Sequence, residues 1–328
     1  MSADPADRTA TLQPTIPSQA PARAANAKTT EERDDETLPV DDPDRYQQVG
    51  EHARGGLGRV VRAVDRRLGR TVAVKELLRQ DQWHEARFMR EALITARLEH
   101  PGIVPVHEAG RWPNGAPYYV MKLVEGRTLK ELFAAKPTLR ERLGLLEHVI
   151  AIADAVGYAH SEGVIHRDLK PSNVIVGEFG ETIVIDWGLA RDTRHTDIPE
   201  PSADLLATAK GSGVSTISGK VVGTPAYMAP EQARGEIVDE RADVYAIGAV
   251  LYELLAGKAP HADVTPQAVL DRVIAGPPAP LAQVAADAPG ELVDIVAKAM
   301  CRVPSDRYAN GRDLAEDLRR FQTGKLVS

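Results

Sequence analysis

Cysteine is nearly missing from this chain: Cys301 is the one residue of its type among 328, so no internal disulfide and no cysteine-built metal site can form. Such a thiol reads as a buried apolar side chain in a soluble protein suited to a reducing cytoplasm. Long apolar runs are missing too. The two most apolar stretches, HVIAIADAVGYAH and AIGAVLYELLAG, are short and carry Asp154 and Glu253, so neither is a membrane segment. The start, MSADPADRTA, does not have the charged-then-apolar layout of a signal peptide. Aromatic residues are absent from positions 1–44, which hold ten acids, four bases and six prolines. That segment supplies −6 of the net charge of −7 and has too little apolar surface to offset its ordering entropy, so a disordered tail is expected. The remainder is almost neutral, which argues against nucleic acid as a partner.

What is present falls into two parts. From Val49 to Val74 the chain alternates like β-strands, with two runs flanking a glycine cluster and a turn at Arg67–Arg70 leading to a third. HEARFMREALITARLEH reads as a helix that presents Ala86, Met89, Leu93, Ala96 and Leu98 to the core and breaks at His100–Pro101. GIVPVHEAG and APYYVMKLV read as two more strands. From Arg140 onward helical patterns dominate, beginning with RLGLLEHVIAIADAVGYAH as one helix and ending with GRDLAEDLRRF. The expected fold is α+β, with a small antiparallel β lobe carrying one main helix and a larger helical lobe. A cleft between unequal lobes is a natural ligand site.

The chemistry-bearing residues follow in a fixed order. GEHARGGLGRV is a glycine-rich loop between strands, which alone is weak support for phosphate binding. VAVK puts Lys75 on the third strand, and Glu91 on the following helix is its candidate partner. VIHRDLKPSNVIV brings Asp168, Lys170 and Asn173 into one loop, and TIVIDWGLA sets Asp186 after a β-branched strand. A carboxylate and an amide beside a second carboxylate offer hard oxygen ligands suited to Mg²⁺, and a lysine can meet phosphate as a point charge. Each piece has an ordinary structural reading when taken singly. Their joint order, completed by Ala229-Pro230-Glu231, does not.

With GTPAYMAPEQARG and ADVYAIGAVLYELLAGKAPH, the stretch 45–324 resembles the bacterial Hanks-type (eukaryotic-like) Ser/Thr protein kinases. The resemblance implies a small lobe over 45–121, a hinge over 122–126 and a large lobe over 127–324, with 325–328 as a C-terminal end. Because the chain stops just after the last kinase helix, it is expected to be a catalytic piece of a longer kinase. ATP and Mg²⁺ are the implied cofactors, and Ser/Thr hydroxyls of proteins the implied acceptors. By resemblance Lys75 pairs with the α- and β-phosphates and with Glu91, Asp168 accepts the substrate proton, Lys170 steadies the γ-phosphate, and Asn173 and Asp186 hold Mg²⁺. Met121 is the implied gatekeeper, with backbone groups of Lys122 and Val124 meeting adenine and Val60, Ala73 and Ile175 sandwiching it. Gly50, Ala53, Gly55 and Gly58 make the phosphate loop. His166, Trp187, Asp243 and the pair Glu231–Arg307 are implied supports. Asp243 is expected to bind backbone amides near His166.

Three departures stand out. Ala53 replaces the first loop glycine, which is harmless where φ is negative. Trp187 replaces the usual phenylalanine, and Thr95, one turn after Glu91, is expected to make room for it. Between Asp186 and Glu231 the chain is rich in Gly, Ser and Thr, as in a mobile loop. There Arg167 is implied to pair with a phosphate on Thr216 or Ser218, added within a transient homodimer, while Thr224 shapes the peptide site. The alternative is a pseudokinase, a nucleotide-binding scaffold; loss of Lys75, Asp168, Asn173 or Asp186 would favour it, and all four are present.

Overall fold

A computed structural model describes residues 44–55, 58–78, 81–194, 216–217, 220–221, 225–261 and 265–326. Residues 1–43, Ser218 and Thr224, and the side chain of Thr216, lie outside the described residues.

The alternating segment folds as read. Strands β1 (Tyr46–Arg54), β2 (Gly58–Asp65), β3 (Arg70–Leu77), β4 (Val106–Arg111) and β5 (Pro117–Lys122) form one antiparallel sheet in the order β1-β2-β3-β5-β4. Central β3 buries Val72, Ala73 and Val74 in succession, whereas edge strand β1 is exposed at every position after Tyr46. The turn into β3 closes on Gly69, whose φ of 64° is left-handed, with the Arg67 N–H donating to Asp65 Oδ1 at 3.0 Å.

Helix α1 (Gln82–Arg97) begins at Asp81, which accepts the His84 N–H at 3.0 Å. Its inward face is the expected one only in part: Leu98 is buried, and Ala86 and Met89 are partly buried. Leu93 and Ala96 are exposed, and Phe88, Arg90, Glu91, Ala92, Ile94 and Thr95 are buried. The apolar stripe misleads because this helix buries polar groups that serve the cleft.

The large lobe contains α2 (Leu129–Ala134), α3 (Leu139–Leu143), α4 (Leu146–Ser161), α5 (Pro230–Ala233), α6 (Arg241–Ala256), α7 (Pro266–Ala275), α8 (Leu281–Val284), α9 (Gly290–Ala299) and α10 (Gly311–Gln322). The helix expected over 142–160 is broken. Arg142 is buried and donates to Leu254 O and Pro137 O, both at 2.7 Å, so its guanidinium serves the last carbonyls of α6 and α4 starts only at Leu146. Helices α4 and α6 form the core. Helix α10 crosses α4 so closely that a Cβ on Gly157 would meet Arg312 N at 2.7 Å and one on Gly311 would meet Ala153 O at 2.8 Å. Cys301 is half-buried, not fully buried, and its thiol donates to Ala297 O at 3.3 Å.

Short strands hold the loops that face the small lobe. β6 (Arg127–Thr128), β8 (Val174–Val176) and β9 (Thr182–Val184) form one small sheet, and β7 (Val164–Ile165) pairs with β10 (Arg191–Asp192). Val184 N donates to Gly102 O at 2.8 Å, stitching β9 to the segment between α1 and β4. Among the described residues, no helix is long and apolar enough to cross a membrane.

Candidate active site

The loop between β7 and β8 turns back on itself through Arg167, whose φ of 65° is unusual for a residue with a side chain. One carboxylate fixes it. Asp243, in the first turn of α6 and 1% exposed, accepts from His166 N at 2.7 Å, Arg167 N at 2.8 Å and His160 Nε2 at 3.0 Å. Burial works to raise the Asp243 carboxyl, but His160, His166 and the amides outweigh it and hold it below the usual range. Within the loop, Asp168 N donates to His166 Nδ1 at 3.2 Å, Lys170 Nζ to Asp168 Oδ2 at 2.7 Å, and Asn173 Nδ2 to Asp168 O at 2.9 Å. The expected grouping of Asp168, Lys170 and Asn173 is present.

The facing wall comes from the small lobe and the residues after β9. Lys75 on β3 is bonded to Glu91 Oε1 on α1, and the Tyr119 hydroxyl of β5 donates to the same oxygen at 2.8 Å. Burial would push Lys75 down, yet Glu91, Tyr119 and Asp186 outweigh it and its ammonium is held above the ordinary range. Asp186, again left-handed at φ 64°, stands 3.8 Å from Lys75 Nζ. Burial works to raise this carboxyl too, and Lys75, His166 and Lys170 together keep it lowered. Trp187 is 1% exposed and packs against the His166 ring at 4.6 Å. Thr95 lines the same cleft, with its hydroxyl donating to Glu91 O at 2.7 Å.

Between the walls lies a cleft of about 870 Å³. Ala53, Gly55, Gly58, Val60, Ala73, Met121, Lys122, Val124 and Ile175 all line it, as do Lys75, Glu91, Asp168, Lys170, Asn173 and Asp186. Gly50 does not: it pairs with Arg62 at an irregular step of β1, because the register shift there carries it away from the cleft. Ala53 pairs with Val60 and is not among the positive-φ residues, so its methyl is accommodated. Gly58 is constrained by the sheet as well. A Cβ there would meet the Glu76 carbonyl oxygen of β3 at 2.5 Å, so its missing side chain serves the sheet. A Cβ on Gly55 would stand at an ordinary contact distance, 3.8 Å, from Gly58 O, onto which the Gly55 N–H closes a turn at 2.9 Å.

The donor set fits a hard cation bound partly by phosphate. Asn173 uses its Nδ2 on Asp168, leaving a carboxamide oxygen, and the Asp186 side chain is 49% exposed toward the cleft. Among the described residues no three His, Cys, Asp or Glu side chains cluster as a cage. A Cβ on Gly188 would sit 3.1 Å from Glu91 Oε2 and 3.3 Å from Asp186 Oδ1, so that glycine lets the two carboxylates stand close.

Further supports are buried below. Arg307 meets Glu231 through two bonds of 2.6 and 2.8 Å and also donates to Cys301 O and Arg241 O. Gln232 Nε2 donates to Arg167 O at 2.6 Å, tying α5 to the loop of Asp168. The sequence reading missed Tyr119, His160, Gln232 and Arg87, whose Nε donates to Gly188 O at 3.0 Å. Only Arg87 left a signal, since it lies one helical turn before Glu91.

Residues 45–317 match the family model for the protein kinase domain. The chain is 37% identical over 295 residues to serine/threonine-protein kinase PknB of Mycolicibacterium smegmatis, covering 88% of this chain and 45% of that one. It is also 37% identical over 262 residues to serine/threonine-protein kinase PknD of Protochlamydia amoebophila, covering 74% of this chain and 26% of the other. The chain thus spans less than half the length of these relatives. The order of its motifs, the two facing walls and the match over most of its length agree: this chain belongs to the protein kinase domain family.

Proposed function

We propose that this chain transfers the γ-phosphoryl group of ATP, with Mg²⁺, to Ser or Thr hydroxyls of proteins, within a body spanning 45–324. The observation that carries this reading is the convergence of Asp168, Lys170 and Asn173 with Lys75, Glu91 and Asp186 on two walls of one cleft. When bound, Mg²⁺ neutralises phosphate oxygens and ATP supplies the group that moves. Asn173 and Asp186 would hold the metal. Lys75, kept in place by Glu91, meets the α- and β-phosphates, and Lys170 meets the γ-phosphate. Lys170 already engages Asp168 Oδ2, so Oδ1 is the oxygen that accepts the hydrogen bond, and then the proton, of the substrate hydroxyl. At the hinge, Lys122 N is taken by Pro105 O at 3.0 Å, which leaves the Lys122 carbonyl to serve adenine. The presence of all four charged or metal-binding groups supports transfer over a scaffold role.

We also infer autophosphorylation on Thr216 or Ser218 within a transient homodimer, the phosphate pairing with Arg167. That arginine already reaches the base of the segment, its Nε donating to Leu189 O at 2.7 Å. The test is incubation with Mg²⁺ and labelled ATP beside an Asp168→Asn variant, with phosphosites mapped by mass spectrometry. Label on Ser or Thr in the wild type, reduced about 10²–10⁴-fold in the variant, is the expected result. Equal label in both would refute Asp168 as the base. No label in the wild type despite ATP binding would favour the scaffold.

A further inference from the structure

Two arginines from different parts of the molecule grip successive carbonyls just after Asp186. Arg87 of α1 donates through Nε to Gly188 O at 3.0 Å, and Arg167 donates through Nε to Leu189 O at 2.7 Å. Arg87 lies one turn before Glu91, so both side chains leave α1 on one side. The helix therefore makes two contacts with the cleft at once: Glu91 with Lys75, and Arg87 with the backbone two residues beyond Asp186. Asp186 sits in a left-handed conformation that a residue with a side chain keeps only if its surroundings enforce it. Between Asp186 and β10 the local bonding is a single turn, Ala190 N donating to Trp187 O at 2.9 Å, whereas from Arg191 onward the chain is held by its pairing with β7 and by Thr193 N donating to Gly163 O at 2.8 Å. The Arg87 guanidinium is itself placed by the Trp83 ring, 5.7 Å from its Cζ.

We infer that Arg87 is a positioning residue that ties the placement of Asp186 to that of α1, so that the metal-binding carboxylate and the lysine pair are set by one helix. The inference rests on the proposed phosphotransfer for its meaning, though not for its test. If α1 swings outward, Arg87 leaves Gly188 as Glu91 leaves Lys75, and Asp186 loses an external hold at the same moment. A charged hydrogen bond to a carbonyl is strong enough for its loss to change the local opening equilibrium about tenfold or more.

Hydrogen exchange on the full chain, compared among wild type, Arg87→Ala and Arg87→Lys, decides the matter. In the alanine variant, exchange over 186–190 is expected to rise about tenfold while β10 and α4 keep their protection. The lysine variant, which can still donate to Gly188 O, should fall between the other two. In transfer assays the alanine variant should need about tenfold more Mg²⁺ for half-maximal rate, with the KM for ATP at saturating Mg²⁺ within about twofold of wild type. Unchanged exchange over 186–190, an equal loss of protection in α4, or a lysine variant no better than alanine would overturn the inference. Absence of transfer in the wild type would instead sink the proposed function, and the exchange data would still decide on Arg87.

Discussion

The two walls of the cleft are built on different principles. On the large-lobe side, the loop of Asp168 is over-determined: Asp243 satisfies two of its amides, Gln232 binds Arg167 O, and the Glu231–Arg307 pair locks α5 to the helices below. On the small-lobe side, α1 is packed through Phe88, Ala92, Ile94 and Leu98, and its polar groups reach the site through two bonds, Lys75–Glu91 within the lobe and Arg87–Gly188 to the segment after Asp186. One wall is fixed by many bonds to one loop, and the other rests on fewer polar bonds made by a single helix. Catalysis by in-line placement gains from such a division, because small displacements of a reacting group cost far more in rate than in stability.

The contrast can be broken most directly at Asp243. Replacing it by alanine leaves two buried amides and His160 without their acceptor and should lower stability by about 3–5 kcal/mol, read as a large fall in Tm. Glu91→Gln should behave oppositely. Lys75 stays within reach of Asp186 and of water in the cleft, so stability should fall by only about 1 kcal/mol while the transfer rate drops on the order of 10²-fold. Equal stability losses in the two variants would erase the distinction between the walls.

A subtler probe lies far from the cleft. His261 is buried, and burial together with Arg272 and Arg302 pushes its imidazole down to about 4. A histidine pKa lowered on folding contributes stability above its unfolded value near 6.5 that is lost as pH falls toward 4, amounting to about 3 kcal/mol at most. His261→Phe should therefore flatten the acid limb of a stability–pH curve and leave nucleotide binding unaltered. Chemical denaturation from pH 7 to 4 checks this; an unchanged acid limb would refute it. The smallest effect is expected at Ala53→Gly. That residue already accepts its methyl, so nucleotide Kd should stay within about twofold and stability should fall by no more than about 1 kcal/mol. A large gain in affinity would show that the methyl had been obstructing the phosphate.

Much of this architecture was legible in the sequence. Lobes, strands and most helices follow from period-two and period-3.6 patterning, and the order of charged motifs located the cleft. What escaped has a common cause. The apolar stripe on α1 pointed to Leu93 and Ala96, whereas the helix turns Glu91, Arg90 and Thr95 inward. The helix over 142–160 breaks at Gly144, which caps α3, while Arg142 reaches carbonyls 112 and 113 residues away. Periodicity registers where apolar side chains gather. It carries no record of which distant carbonyl an arginine will find.

The glycine loop shows how far one spelling can cover two constraints. At Gly58 the β3 backbone stands where a side chain would be, so alanine there would pry β2 off its neighbour and tilt the roof of the cleft. At Gly55 a Cβ would stand 3.8 Å from Gly58 O, an ordinary contact, so among the described residues alanine is accommodated there. Of the two glycines, Gly58 is thus the one that the sheet itself requires.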